Sequence, residues 1–484
     1  MKKFLTYEQF GAKGDGYTDD FDAIIACHEE ANKTGTPVKA KDGASYFIQK
    51  IATATIKTDV DFGTAEFIIY DVGIPLDKRG VHIFSVPSDF EPVKLDIKSF
   101  KKSETKLDFP HEGNAYVKFV NANSPKFIRK GLNKNSGKPT TDSFLVDKDG
   151  NIKNQVNYDY DEFTDAYYRC ADDKPITIKG GKFVTIANQA ESFYNYHSRG
   201  FNIRRSNLTI EGVTHLVYGE GEHGAPYAGF FTVTESYNVT VKDCLLTPHF
   251  IYKTESKEPG QLVSMGSYDI NFSTSLNCTI KGIRQTVDIF DNRYWGLIHT
   301  NFCKDLTVEN CVMSRYDAHE GVTNITIRNS TFGHQMVNLI GYGEALLDGC
   351  TITGPRFFTL RPDYGSFWNG NITLRNCTLN ASSPNGAVTV FYSNNSGDHD
   401  FGYPCSMPTV LTLEDVTIND EKLPEDGRVF IMPNYDTNYN VGEKPFRYGV
   451  SKQLVIKNFK TTSGRNYKIA PIPEQYSDME IIEN

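Results

Sequence analysis

The sequence predicts an all-β fold, a parallel β-helix in which short strands stack coil upon coil. Two observations carry this. Ten segments repeat one pattern, a turn residue, an alternating Thr/β-branched strand and a charged-to-small step: Pro175–Gly180, Asn207–Gly212, Asn238–Asp243, Asn277–Gly282, Asp305–Asn310, Asn324–Asn329, Glu344–Gly349, Asn371–Asn376, Val410–Asp415 and Gln453–Asn458. Units of one strand and one turn, recurring every ~20 to 40 residues, are the signature of a solenoid. Within each unit the period of two sends Ile, Val and Leu inward and Thr and the charge outward. The second observation is that Cys244, Cys311, Cys350 and Cys377 all fall at the same step, just after the turn. A reduced thiol behaves as a small, buried hydrophobe, so these four predict an internal ladder.

Nine cysteines, an odd number without a CxxC spacing, argue against a disulfide framework and a zinc site. Asn-x-Thr triplets such as Asn207-Leu208-Thr209, Asn324-Ile325-Thr326 and Asn371-Ile372-Thr373 arise from the repeat itself. Asn turns the corner and Thr opens the strand, which accounts for them without glycosylation.

With 484 residues the chain can bury a large core, and a formal charge of −9 argues against a nucleic-acid partner. No apolar stretch approaches the ~18 residues that span a membrane, so no membrane partner is expected. The start, Met1-Lys2-Lys3-Phe4-Leu5, reaches Tyr7, Glu8 and Gln9 without an apolar core and does not read as a signal peptide. The compartment stays open: extracellular if a leader was removed, otherwise cytoplasmic. Aromatics are plentiful at 13%, with 27 Tyr, and exposed aromatic rings suit sugar rings.

Near the N-terminus Phe10-Gly11-Ala12-Lys13-Gly14-Asp15-Gly16-Tyr17-Thr18-Asp19-Asp20 runs into Phe21-Asp22-Ala23-Ile24-Ile25. This predicts a glycine-rich turn feeding a helix, with Thr18 or Asp19 as N-cap, a stripe of Phe21, Ile24, Ile25 and Cys27, and an end near Thr34-Gly35. Such a helix would cap the open end of a solenoid. The segment resembles the opening motif of the pectate-lyase-like superfamily, and with the repeats the resemblance covers residues 1–60 and 170–465. It implies a right-handed parallel β-helix. Members include polysaccharide lyases, glycoside hydrolases such as polygalacturonases, uronan epimerases and phage tailspikes. The Asp-Asp and Arg-Ile-Lys blocks of polygalacturonases have no match here, although Gly333-His334-Gln335 is present.

The predicted organisation is an N-terminal cap and first coils over 1–60, an inserted β-rich subdomain over 61–170, the β-helix over 171–465 and an irregular tail over 466–484. The insertion is read from alternating stretches, Ala115–Val120 and Ser143–Asp147, and a hairpin signal at Asp147–Asn151.

The densest polar cluster is Arg315-Tyr316-Asp317-Ala318-His319-Glu320. In a strand Arg315, Asp317 and His319 share one face, with small Ala318 turned inward. An Asp beside a His orients the imidazole, and an Arg binds a substrate carboxylate in bidentate fashion. In a second cluster, Arg361-Pro362-Asp363-Tyr364, Arg361 and Asp363 share a face, and Trp368 offers a stacking ring. Two coils apart, Asp317 and Asp363 are expected about 10 Å from one another, close to the roughly 6.5–9.5 Å of an inverting glycosidase. Asp317, His319 and Asp363 are therefore the predicted catalytic residues. Arg315, Arg361, Tyr364, Trp368, His334, Trp295 and Tyr294 are predicted to bind substrate. His299, Glu220, Glu222, His223, Asp269, Tyr227 and His197 add to a polar groove, while a lone His215 or His249 reads as structural.

The expected function is a carbohydrate-active enzyme cleaving a polysaccharide or oligosaccharide in this groove, a glycoside hydrolase slightly ahead of a lyase. In a lyase Arg315 or Arg361 would neutralise the uronate and His319 or Tyr364 would be the base. No cofactor or metal is predicted, with Ca2+ open for the lyase. The alternative is a non-catalytic glycan-binding or tailspike-like structural protein, monomeric or homotrimeric.

Overall fold

The computed structural model describes residues 4–129, 137–191, 196–221, 225–255, 262–265, 268–394, 399–441 and 444–483. They form two compact units. The N-terminal unit comprises Met1–Pro92, His111–Tyr116 and Arg169–Ile298, and the C-terminal unit comprises Val93–Pro110, Val117–Tyr168 and His299–Asn484.

The N-terminal unit is a right-handed parallel β-helix built from three columns of strands. One stacks Val60, Ile178, Ile210, Val241 and Ile280 in direct register. A second stacks Tyr46, Phe67, Phe183, His215 and Leu246, and a third Phe84, Phe201, Phe231 and Ile270. These inward side chains are almost entirely buried. The outward residues of the first column form a ladder of Thr177, Thr209, Thr240 and Thr279. The helix Phe21–Thr34 caps this unit, burying Phe21, Ile24 and Cys27 and ending at Gly35 in left-handed backbone. Its N-cap is Asp20, not Thr18 or Asp19. The acids are used differently: Asp20 accepts from the Lys13 and Gly14 N–H groups, Asp15 from Tyr17 and Thr18, and Asp19 from Lys50. Gly14 has φ +62, and a Cβ there would lie 2.9 Å from that of Ala44. The opening motif is thus a self-wired turn, which explains why it reports on fold.

In the C-terminal unit the same logic aligns Ile325, Ala345, Ile372, Leu411, Leu454 and Ile481 in one column. Tyr316, Val337, Phe358 and Phe391 align in another. The repeat corners adopt left-handed backbone at Asp305, Asn310, Asn324, Asn329, Asn376, Asp415 and Asn458. Asn and Asp tolerate this conformation, and they bond to one another along the stack, Asn324 to Asp305 at 2.9 Å and Asn458 to Asp415 at 2.7 Å. Cys311, Cys350 and Cys377 are buried in this unit, and Cys244 in the other.

The insertion forms a four-stranded sheet in the order Lys138–Val146, Ala115–Lys126, Asp165–Cys170 and Val93–Lys94. Its core holds Phe100, Phe119, Phe144, Val146 and Tyr160. It begins later than expected. Val60–Tyr70 pairs with both Ser45–Ile48 and Ile176–Ile186, and Phe84–Val86 with Phe201–Ile203, so residues 61–86 contribute coils of the solenoid. The end of the chain also differs from an irregular tail, because Glu480–Glu483 adds a parallel strand beside Gln453–Thr461. Pro471 and Pro473 sit in the connection without ending the sheet. Among the described residues no helix is long and apolar enough to cross a membrane.

Within the C-terminal unit the inserted sheet is fastened to the solenoid by Lys304, whose ammonium bonds to the Asp142 carboxylate and the Gln155 carbonyl. Both charged side chains are at most 2% exposed. Removing one partner of a buried pair strands the other charge. Lys304→Met is therefore expected to cost roughly 3–5 kcal/mol, read as a lower urea midpoint. A loss below about 1 kcal/mol would mean that the pair is solvated.

Candidate active site

The strand Val312–Arg328 places Arg315, Asp317 and His319 on its outward side, while Tyr316 and Ala318 point into the core at 0% exposure. Tyr316 reaches the Thr300 hydroxyl at 3.1 Å inside the coil. In the neighbouring coils Asp317 pairs in register with Asn338, and Asn338 with Thr359. The chain then leaves the strand Phe358–Leu360 at Arg361 and makes a 3-10 turn, Pro362–Tyr364, closed by Gly365 in left-handed backbone.

That turn brings the two predicted clusters together through one guanidinium. Arg361 Nη1 donates to Asp317 Oδ1 and Oδ2 at 3.0 and 2.9 Å. Its Nε and Nη2 donate to Asp363 Oδ1 and Oδ2 at 3.1 and 2.7 Å. Arg315 adds a second cation, 3.1 Å from Asp317. The carboxylates therefore flank a cation rather than an open gap sized for water. Burial works to raise the Asp363 pKa, but the charge and hydrogen bonds of Arg361 outweigh it and hold the carboxyl below the usual range. Burial likewise opposes the charge on Arg361, and Asp317 and Asp363 keep it well above the ordinary value.

His319 occupies the next outward step. Its Nδ1 lies 3.2 Å from Asn301 Oδ1, and its Nε2 lies 3.3 Å from the Tyr364 hydroxyl. With the amide oxygen accepting from Nδ1–H, Nε2 is left to accept from Tyr364. The Arg361 guanidinium sits 4.9 Å over the Tyr364 ring, within cation–π range. His299 lies 5.8 Å from the His319 ring. Burial, together with Arg315 and Arg361, outweighs Asp317 and pushes the His299 imidazole down to about 4.

Backbone strain is concentrated around this cluster. Apart from the Asn and Asp corners, the non-glycine residues of the C-terminal unit with left-handed backbone are Phe127, Phe302, Met336 and Ser366, among those described. Phe302 follows Asn301, Met336 is the register partner of Arg315, and Ser366 follows the turn that carries Tyr364. Phe127 packs its ring on Tyr364. Strained backbone persists where the surroundings over-determine it, and such positions cluster at functional sites.

The structure corrects two roles. Asp317 is 0% exposed and paired with both arginines, so the open catalytic carboxylate expected there is a covered one. Trp368 is also 0% exposed, with its indole N–H donated to the Gly343 carbonyl at 3.2 Å; it is a core side chain, not a sugar platform. Asp363 stays accessible, its side chain 40% exposed. His334 lies on the strand Thr331–Leu339, two residues before Met336. Tyr294 and Trp295 belong to the N-terminal unit, where Tyr294 stacks on Phe250 at 4.9 Å and Trp295 lies 6.4 Å from Tyr268. Asn301 was missed, although the outward alternation His299, Asn301 on one strand carried the signal. Phe127 and Tyr403 had no local signal.

The N-terminal unit holds a buried polar network of its own. His215 Nδ1 meets Asp269 at 2.8 Å and His249 Nδ1 meets Glu220 at 3.0 Å, while Tyr227 stacks on His249 at 4.3 Å. Tyr227 and Arg199 both bond to Asp71. His197 is fully buried beside Tyr227. Burial opposes protonation of His249, but Glu220 and Asp269 raise its pKa. These groups are enclosed. Glu222 and His223 lie outside the described residues.

No family model matches the chain, and no curated protein matches it. Among solved structures it is similar to tailspike gp61 of Pseudomonas phage phi297, with 12% identity and a TM-score of 0.52 over 99% of this chain and 83% of that one. It is also similar to the gp54 tailspike of Acinetobacter baumannii bacteriophage AP22, solved in complex with A. baumannii capsular saccharide, with 10% identity and a TM-score of 0.51 over 99% of this chain and 79% of that one. At such identities the likeness speaks for architecture, and the chain is a right-handed parallel β-helix protein.

Proposed function

We propose that the chain acts on an acidic polysaccharide at the Arg361 cluster, by abstracting a proton next to a uronate carboxylate and eliminating the glycosidic oxygen. The observation that carries this reading is the His319–Tyr364 hydrogen bond, fixed by Asn301 on one side and bordered by Arg361 on the other. Tyr364 gives its hydroxyl proton to His319 Nε2 as its oxygen takes the C5 proton of the sugar. The C–H electron pair forms the C4–C5 double bond, the C4–O4 bond breaks, and the leaving O4 takes the proton from the His319 imidazolium. Of the five guanidinium N–H donors, the hydrogen bonds to Asp317 and Asp363 leave one for the uronate.

Hydrolysis by paired carboxylates is less well supported, because it needs one carboxyl to hold a proton near neutrality. Asp317 is enclosed by cations and Asp363 is held ionised. A second reading, glycan binding without chemistry, draws on the burial of Asp317 and Tyr364. It also draws on the likeness to a tailspike solved with a capsular saccharide.

A panel of acidic and neutral polysaccharides, digested with and without calcium, tests these readings through product masses. Unsaturated products without added water are expected. His319→Ala and Tyr364→Phe are each expected to lower kcat by about 10²- to 10⁴-fold. Products that carry added water would replace elimination with hydrolysis, and retention of intact chains without cleavage would favour the binding protein.

Acid sensitivity gives a further check. The folded Asp363 pKa is depressed, so its contribution to stability is complete above the unfolded value of ~3.9 and is lost as pH falls through the folded value. Its exposure makes that contribution small. Asp363→Asn is expected to cost a little stability near neutrality, where the wild type has that contribution, and to converge with the wild type as pH falls well below about 4. An equal loss at both pH values would mean that the carboxylate charge is not what Arg361 reads.

A further inference from the structure

One wall of the Arg361 cluster comes from the insertion. Phe127 follows the strand Ala115–Lys126 and adopts left-handed backbone, φ 55. Asn or Asp gains a local hydrogen bond in that conformation; a phenylalanine gains none, and the strain is of order 1–3 kcal/mol. What holds it there is a set of ring and main-chain contacts. The Phe127 ring stands edge-on to Tyr364 at 5.5 Å and 82°, and to Tyr403 at 5.2 Å and 75°. It also lies 5.9 Å from Phe302. Its N–H donates to the Phe401 carbonyl at 2.8 Å. The next residues, Ile128–Arg129, pair antiparallel with His399–Asp400. Tyr403 closes the circuit by donating its hydroxyl to the Tyr364 carbonyl. The strap of residues 399–403 is thus held between the insertion and Tyr364, and Phe302 is bonded directly to Asn301, the residue that orients His319.

We propose that Phe127 is a positioning residue: through its ring and the 399–403 strap, the insertion holds the Tyr364 hydroxyl within hydrogen-bonding reach of His319. The inserted sheet is then a working part of the site and not a separate module. The kinetic consequence rests on the reading of His319 and Tyr364 as the reacting pair; the geometric consequence does not.

Phe127→Gly separates support from strain, since glycine adopts φ 55 freely and removes only the ring. Phe127→Tyr keeps the ring and serves as the conservative rescue. In full-length protein with isotopically labelled histidine, and with His319→Gln to assign the signal, the His319 Nε2 resonance of Phe127→Gly is expected to move toward that of an imidazole without a Tyr partner. Phe127→Tyr is expected to retain the wild-type resonance. On whichever polysaccharide the wild type cleaves, kcat of the glycine variant is expected to fall on the order of 10- to 100-fold with little change in KM. An unshifted His319 resonance in a folded glycine variant would overturn the proposal. So would a melting temperature that falls in proportion to activity in both variants, which would reduce the ring to packing. If the wild type cleaves nothing, the elimination reading fails, and the His319 resonance still decides the role of Phe127.

Discussion

In a parallel β-helix each inward side chain stacks on the inward side chain of the coil before it and the coil after it, so one register governs the whole column. Tyr46, Phe67 and Phe183 in one unit and Ile325, Ala345 and Ile372 in the other obey it residue for residue. Every corner must then turn at the same step, which is why left-handed Asn and Asp recur there. Side chains on the outer face stack by the same rule, and a charge placed there meets the neighbouring coils at strand spacing, ~4.8 Å.

The Arg361 cluster follows from that proximity. Carboxylates and guanidinia brought to adjacent outward steps neutralise one another, and the outermost cation covers the innermost acid. Asp317 thereby loses its access to solvent and becomes a fixed negative charge beneath two arginines. In the proposed reading the chemistry falls one step along the strand, at His319, and one turn onward, at Tyr364. A carboxylate pair clamped on one guanidinium is a poor proton store, which is why the proposed reading routes the proton through the Tyr–His pair beside it.

Much of this was legible because the strand period is two and the repeat is regular. Alternation alone put Arg315, Asp317 and His319 on one face, and the repeat alone assigned the ten strands, the Asn corners and the buried thiols. Depth was not legible. Asp317 and Trp368 are covered by residues from other coils, and sequence spacing says nothing of which side chain lies above. The strand Val60–Tyr70 escaped notice because Asp61, Gly63 and Thr64 break the repeat pattern, although its later half alternates well. Glu480–Glu483 was read as tail because two prolines precede it. Phe127 could not be connected with Tyr364 from sequence, since the contact joins the insertion to a turn more than two hundred positions onward.

The pairing of Val60–Tyr70 with Ile176–Ile186 has a consequence for how the protein forms. Neighbouring coils elsewhere in the N-terminal unit can close soon after they emerge from the ribosome, but this junction waits for residues 71–175. The equilibrium cost of so wide a detour is modest, since closure entropy grows only logarithmically, about 0.6 kcal/mol per doubling of loop length. The cost in time is larger, because non-local parallel pairing is slow to nucleate. Until Ile176–Ile186 arrives, the helix-capped first coils carry an unfilled edge on Val60–Tyr70, and that edge is where misassembly of the nascent chain would begin.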